Sequence, residues 1–121
     1  VAANRGDLGE GIRLLELDVD LIHANDWQTG LIPAFQKIEY ENAPGYEQIA
    51  TLLTIHNIAF HGNVPAARLK ALRLDDWRFT PERFEFWGQI SALKAGLTGA
   101  AKINTVSQTY AEELMTPVFG M

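Results

Sequence analysis

The sequence predicts an α/β fold built on a mostly parallel sheet. Three observations predict it: apolar strand-like runs recur along the chain, each ends in a polar cluster, and helix-period segments lie between them. Right-handed crossovers between parallel strands put every strand's carboxyl end on one edge. The polar clusters should therefore meet on the edge where open α/β sheets bind ligands.

The first strand is expected over Val19–Ala24, where Val19, Leu21 and Ile22 dominate. After it, Leu31, Ala34, Phe35 and Ile38 recur at helical spacing. Pro33 suits that helix only near its first turn, so the helix should start close to Thr29 or Gly30. "NAPGYE", Asn42 to Glu47, reads as a turn broken by Pro44-Gly45. The second run, "IATLLTI", is continuously apolar and predicts a central strand over Ala50–Ile55. Such a strand is covered on both faces, which calls for helices on both sides of the sheet. It empties into the polar loop "HNIAFHGNVP".

The next region is less regular. "AARLKALRL" predicts a short helix. Trp77, Phe79, Phe84, Phe86 and Trp87 then predict a small aromatic core under an irregular connection. Ile90, Leu93 and Leu97 return to helical spacing. The third strand is expected over Lys102–Val106, with Ser107 as the N-cap of a last helix. That helix shows one face through Tyr110, Ala111, Leu114 and Met115 until Pro117 stops it.

Composition narrows the function. The 121 residues are 47% hydrophobic, enough for one modest core. Ten basic against fifteen acidic residues give a net charge of -5, with no Lys/Arg cluster. A duplex nucleic acid or an anionic membrane is therefore not the expected partner. The absence of cysteine excludes disulfides and thiolate metal sites. No apolar run reaches the roughly 20 residues of a membrane span, and no signal-peptide pattern occurs. A start at Val1 and a stop just past a helix-like segment suggest a piece of a longer protein.

Two clusters carry candidate chemistry. Asp26 and Trp27 follow the first strand, as a helix cap beside a packed indole or as one wall of a sugar site. A carboxylate beside an aromatic face matches a pyranose, which has hydroxyls on its rim and an apolar C–H face. His56-Asn57 ends the second strand, where a histidine can serve structure or donate a hydrogen bond to a reacting group. A metal site on His23, Asp26, His56 and His61 lacks ligand spacing, and no Gly-rich phosphate loop follows any strand.

Four motifs, "IHANDWQTGLIP", "TLLTIHNIAFHG", "FEFWGQISALKAGL" and "INTVSQTYAEELMTPVFG", resemble the bacterial glycogen synthases and plant starch synthases in order and spacing. The resemblance spans about Asp18 to Gly120. It implies a Rossmann-like domain, here a partial amino-terminal one, of a two-domain GT-B glycosyltransferase. Such enzymes move glucose from ADP-glucose, sometimes UDP-glucose, to the non-reducing end of an α-1,4-glucan, with retention and without a metal or other cofactor. Carried over, His56 lies against the transferred glucose, and Asp26 completes the catalytic pair. Trp27, Asn57 and Gln28 shape the acceptor side, while Ser107 and Tyr110 support the cleft wall. The implied location is the bacterial cytoplasm, or the plastid stroma of a plant.

The chain departs from the family pattern in places. Gln28 stands where many members have His, which leaves it a hydrogen-bonding role, and His61 stands where Gln is common. The family's amino-terminal Lys-x-Gly-Gly-Leu loop and its carboxyl-terminal domain, which holds the nucleotide, are not in this sequence. The piece alone is therefore expected to be inactive. Two rival readings are a glucan-binding module without catalysis and a metal-dependent hydrolase on the three histidines and Asp26.

Overall fold

In a computed structural model, the chain is described at residues 12, 15, 18–39, 48–72 and 74–116. Its centre is a parallel three-stranded sheet in the order β1–β2–β6, formed by β1 (Leu21–Asn25), β2 (Ala50–Ile55) and β6 (Lys102–Thr105). Leu21 pairs with Ala50 and Leu52 with Lys102, so all carboxyl ends share one edge, as the polar clusters predicted. The first strand is displaced relative to its expected bounds: Val19 precedes it and Asn25 belongs to it. The turn expected over Asn42–Glu47 and the helix stop at Pro117 lie outside the described residues.

Between β1 and β2 comes a 3-10 turn, Trp27–Thr29, then α1 (Leu31–Glu39). Between β2 and β6 the chain builds a second sheet that the sequence did not suggest. β3 (Asn63–Pro65), β4 (Glu85–Phe86) and β5 (Gln89–Ser91) pair antiparallel in the order β3–β5–β4. Ile90 thus sits in a strand, and α2 (Ala92–Gly99) begins after it, capped by Ser91 Oγ accepting the Lys94 N–H at 3.1 Å. The segment expected to form a short helix is a 3-10 turn, Ala66–Arg68, followed by turns that bury Leu69, Leu72 and Leu74. The last helix, α3 (Gln108–Leu114), carries the expected Ser107 N-cap.

Burial explains the arrangement. Leu53 and Leu93 are fully buried, and Ala24, Ile55 and Ile58 join them in one cluster, with Tyr110 and Leu114 of α3 packed against it. Leu31, Ala34 and Phe35 of α1 meet Ala92 and Ala95 of α2 and the buried Phe84, Ile90 and leucines in another. The aromatic core is narrower than expected. Phe84 is 2% exposed and Phe79 packs beside it, but Trp77 and Trp87 are 61% and 87% exposed.

The two helices approach backbone to backbone at glycine. A Cβ on Gly30 would lie 2.2 Å from the Ala92 carbonyl oxygen, and one on Gly96 would lie 2.9 Å from that of Gly30. Neither partner is a flexible side-chain tip. Gly30→Ala should therefore destabilise the fold by about 3 kcal/mol, the upper end of ordinary overpacking. Urea unfolding of the variant against the parent measures it, and an unchanged midpoint would refute the close approach.

Candidate functional site

One carboxylate ties the ends of β1 and β2 together. Asp26 Oδ1 accepts the backbone N–H of His56 at 2.6 Å and that of Asn57 at 3.2 Å. Its own N–H donates to the Thr54 carbonyl at 3.0 Å. Asp26 makes no side-chain cap to the turn that follows it, so the helix-cap reading does not hold. Its backbone, at φ 56 and ψ -166, occupies a region natural only to glycine. Two charge-assisted hydrogen bonds offset that strain.

The loop they hold is fastened from other sides too. His56 Nε2 lies 3.1 Å from Asn25 Oδ1, which as acceptor places the ring proton on Nε2. Asn57 Oδ1 accepts the Ala59 N–H at 2.9 Å, an Asx-type turn that bends the chain away from the strand. The Ile58 N–H donates to the Tyr110 hydroxyl at 2.9 Å, and Ser107 Oγ accepts the Tyr110 N–H at 3.1 Å. Tyr110 thus braces the loop from α3, whose amino end Ser107 caps. Both His56 and Asn57 remain exposed.

Trp27 sits behind this rim. It is half-buried and packs on both hydrophobic clusters, and a Cβ on Gly62 would lie 2.4 Å from its ring. Gly62 also has φ +65, so glycine is required there twice over. Gln28 is exposed in the turn between Trp27 and Thr29.

Some supporting residues escaped the sequence reading. Thr29 Oγ1 accepts the Asn25 N–H at 2.6 Å and donates to the Asn25 carbonyl at 2.8 Å, which locks the exit from β1. Thr54 donates to Asn104 Oδ1 and lies 2.6 Å from His23 Nε2, so His23 must be the donor to Thr54. This polar ladder crosses β1, β2 and β6 just inside the edge. A clue was available: Thr54 and Asn104 are polar residues inside strand-like runs.

The histidines do not gather. His23 is engaged in that ladder, and His61 sets its ring edge-on against Phe86 at 5.0 Å. Among the described residues no three His, Asp or Glu side chains are placed to hold a metal. The donor set offered for a hydrolase therefore does not fit one. Three cationic side chains gather elsewhere. Lys37, Arg78 and Arg83 line a cavity of about 580 Å³ beside Ala95, Thr98 and Gly99, at the carboxyl end of α2 and so at the sheet's opposite edge.

A parallel sheet whose strand ends hold a loop of exposed polar groups is the Rossmann-like arrangement, and that edge is where open α/β sheets bind ligands. Residues 8–121 match the model of the starch synthase catalytic domain, and the chain belongs to that family. It is 62% identical to a glycogen synthase of Jannaschia sp. (strain CCS1) over 102 residues, 84% of this chain and 20% of that protein. It is 49% identical to a glycogen synthase of Moorella thermoacetica over 106 residues, 88% of this chain and 22% of that one. Its fold matches the catalytic domain of Starch Synthase IV from Arabidopsis thaliana, solved bound to ADP and acarbose. That match has a TM-score of 0.84 at 26% identity and covers 97% of this chain and 24% of that one. The chain thus spans about a fifth of the length of these curated relatives.

Proposed function

We propose that the chain is the acceptor-facing part of the amino-terminal domain of a glycogen synthase. The whole enzyme transfers glucose from ADP-glucose to the non-reducing end of an α-1,4-glucan with retention. One observation carries the reading: the family match runs through residues 8–121, and the matched "NDWQ" and "TIHN" segments meet through Asp26 at one sheet edge. The ADP and acarbose bound to the starch synthase neighbour support a nucleotide-sugar donor and a glucan acceptor. Bacterial relatives support the bacterial cytoplasm, and no helix among the described residues is long and apolar enough to cross a membrane.

In this reading His56 is the catalytic residue, its exposed ring set against the transferred glucose. Asp26 is a positioning residue: Oδ1 is occupied by two amides, so the carboxylate aims the His56–Asn57 loop and moves no proton itself. Asn57 and Gln28 offer hydrogen bonds to acceptor hydroxyls, and Trp27 sets the depth of the wall from behind. Transfer builds positive charge on the sugar and negative charge on the departing diphosphate, which calls for cations aimed at the phosphates. Lys37, Arg78 and Arg83 lie at the wrong edge for that task. The second domain of the enzyme would supply those cations, and no metal is needed.

The test is transfer of labelled glucose from ADP-glucose into glycogen by the full-length enzyme, with release of ADP. Glycogen binding without transfer would replace the synthase with a binding module. The 121-residue chain alone should transfer nothing even at high concentration. Label incorporated by it would place the leaving-group machinery within this piece.

A further inference from the structure

We propose that Trp87 is a stacking platform for a glucan chain, outside the sheet edge that holds His56; the ligand class rests on the function proposed above. Phe86 pairs with Gln89 across a two-residue hairpin turn in which Trp87 has φ 52 and Gly88 has φ 78. Positive φ at both central positions is the type I′ turn, which favours Asn, Asp or Gly at the place Trp87 occupies. A bulky side chain there is strained. Packing among the described residues does not account for it, because Trp87 is 87% exposed there. Strain retained without a packing return is the pattern of a functional position.

The turn is held firmly. Phe86 meets Trp87 edge-on, with centroids 6.2 Å apart and planes at 77°, which leaves an indole face open. Phe86 is in turn fixed by the His61 ring at 5.0 Å and by Lys94, whose Nζ lies 5.7 Å from the Phe86 ring and donates to the Glu85 carbonyl at 2.6 Å. His61 belongs to the same loop as His56, and its carbonyl accepts the Leu93 N–H at 2.9 Å. The aromatic line His61–Phe86–Trp87 therefore runs outward from the catalytic loop, along which Phe60 is also 62% exposed. An indole face complements the apolar C–H face of a pyranose, and rigidity keeps the ordering cost low. A glucan is favoured over a protein because the turn offers a single indole flanked by Gly88 and Gln89. That is far below the roughly 800 Å² per partner of a stable protein interface.

The experiment uses full-length enzyme carrying Trp87→Asn, which suits the turn, and Trp87→Tyr, which keeps a ring. Glycogen affinity is read by electrophoresis through glycogen-containing gels, alongside KM for glycogen and for maltotriose, and thermal unfolding. Trp87→Asn should bind glycogen about tenfold more weakly, the scale of one lost aromatic contact. Its kcat and KM with maltotriose should stay unchanged, its Tm should be unchanged or higher, and Trp87→Tyr should recover glycogen binding. Unaltered glycogen affinity in Trp87→Asn, with the parent binding normally, would overturn the platform. A fall in Tm would overturn it too, by showing that the indole is covered in the whole enzyme. A parent that neither binds glycogen nor transfers glucose would overturn the functional reading itself, before any variant is compared.

Discussion

His56→Ala in the full-length enzyme should lower kcat by about 100-fold or more, the scale of losing one well-placed catalytic hydrogen bond. An interaction that strengthens as charge develops acts on the transition state more than on the bound substrate. KM for ADP-glucose should change little, because in the proposed enzyme the second domain holds the diphosphate. Stability should barely move. His56 is exposed and, among the described residues, its ring bonds Asn25, so truncation belongs with surface changes of about 0.5 kcal/mol or less. Turnover and thermal unfolding on one preparation separate the cases. A variant that unfolds early yet turns over normally would make His56 a structural residue.

Asp26 should behave differently, and three substitutions separate its parts. Asp26→Ala removes the acceptor of two backbone amides and leaves a Cβ residue at φ 56. We expect a loss of about 1–2 kcal/mol, at the lower end for unpaired groups because the loop is wetted. The loop loses its aim, so kcat should also fall by about 100-fold, the cost of a small misplacement near the reacting atoms. Asp26→Gly should recover stability, since glycine removes about 1–3 kcal/mol of strain, while kcat stays low. Asp26→Asn retains an oxygen acceptor and should recover most of both. If Asn proved as inactive as Ala while folding normally, the carboxylate would be acting on substrate and not on the loop.

The sequence was most informative where burial is continuous. β2 reads directly because Leu53 and Ile55 face one cluster and the polar members of the run, Thr51 and Thr54, are β-branched and buried. Once three parallel strands are placed, Asp26, His56 and Ser107 must share an edge, so the location of the candidate site follows from topology. Its internal wiring does not. Asp26 looks like a helix cap in sequence, and only the positive φ at that residue turns its carboxylate across to the next strand. The β3–β5–β4 sheet was hidden because its strands have two or three residues, too short to show alternation. Ile90 fitted the helical spacing of Leu93 and Leu97 by coincidence of period. The aromatic cluster misled for another reason. Aromatics usually drive burial, but Trp77 sits beneath the guanidinium of Arg78 at 4.1 Å from the ring and stays at the surface.

The separation between β2 and β6 sets an order of assembly. The β4–β5 hairpin closes through a two-residue turn, an event of about 1–10 μs in isolated hairpins. β1 and β2 meet across a much longer span, and β6 must find partners 50 residues away, as in the bond from Ala101 to Thr51. Such distant pairings lose chain entropy before contacts compensate, so β6 should dock late. With β6 come Ser107 and Tyr110, whose hydroxyl supplies the brace on Ile58. The loop bearing His56 is therefore fully restrained only when the last strand is home. A half-folded chain would present His56 on an unbraced loop, so the contact proposed for it with the sugar would have to wait for the finished sheet.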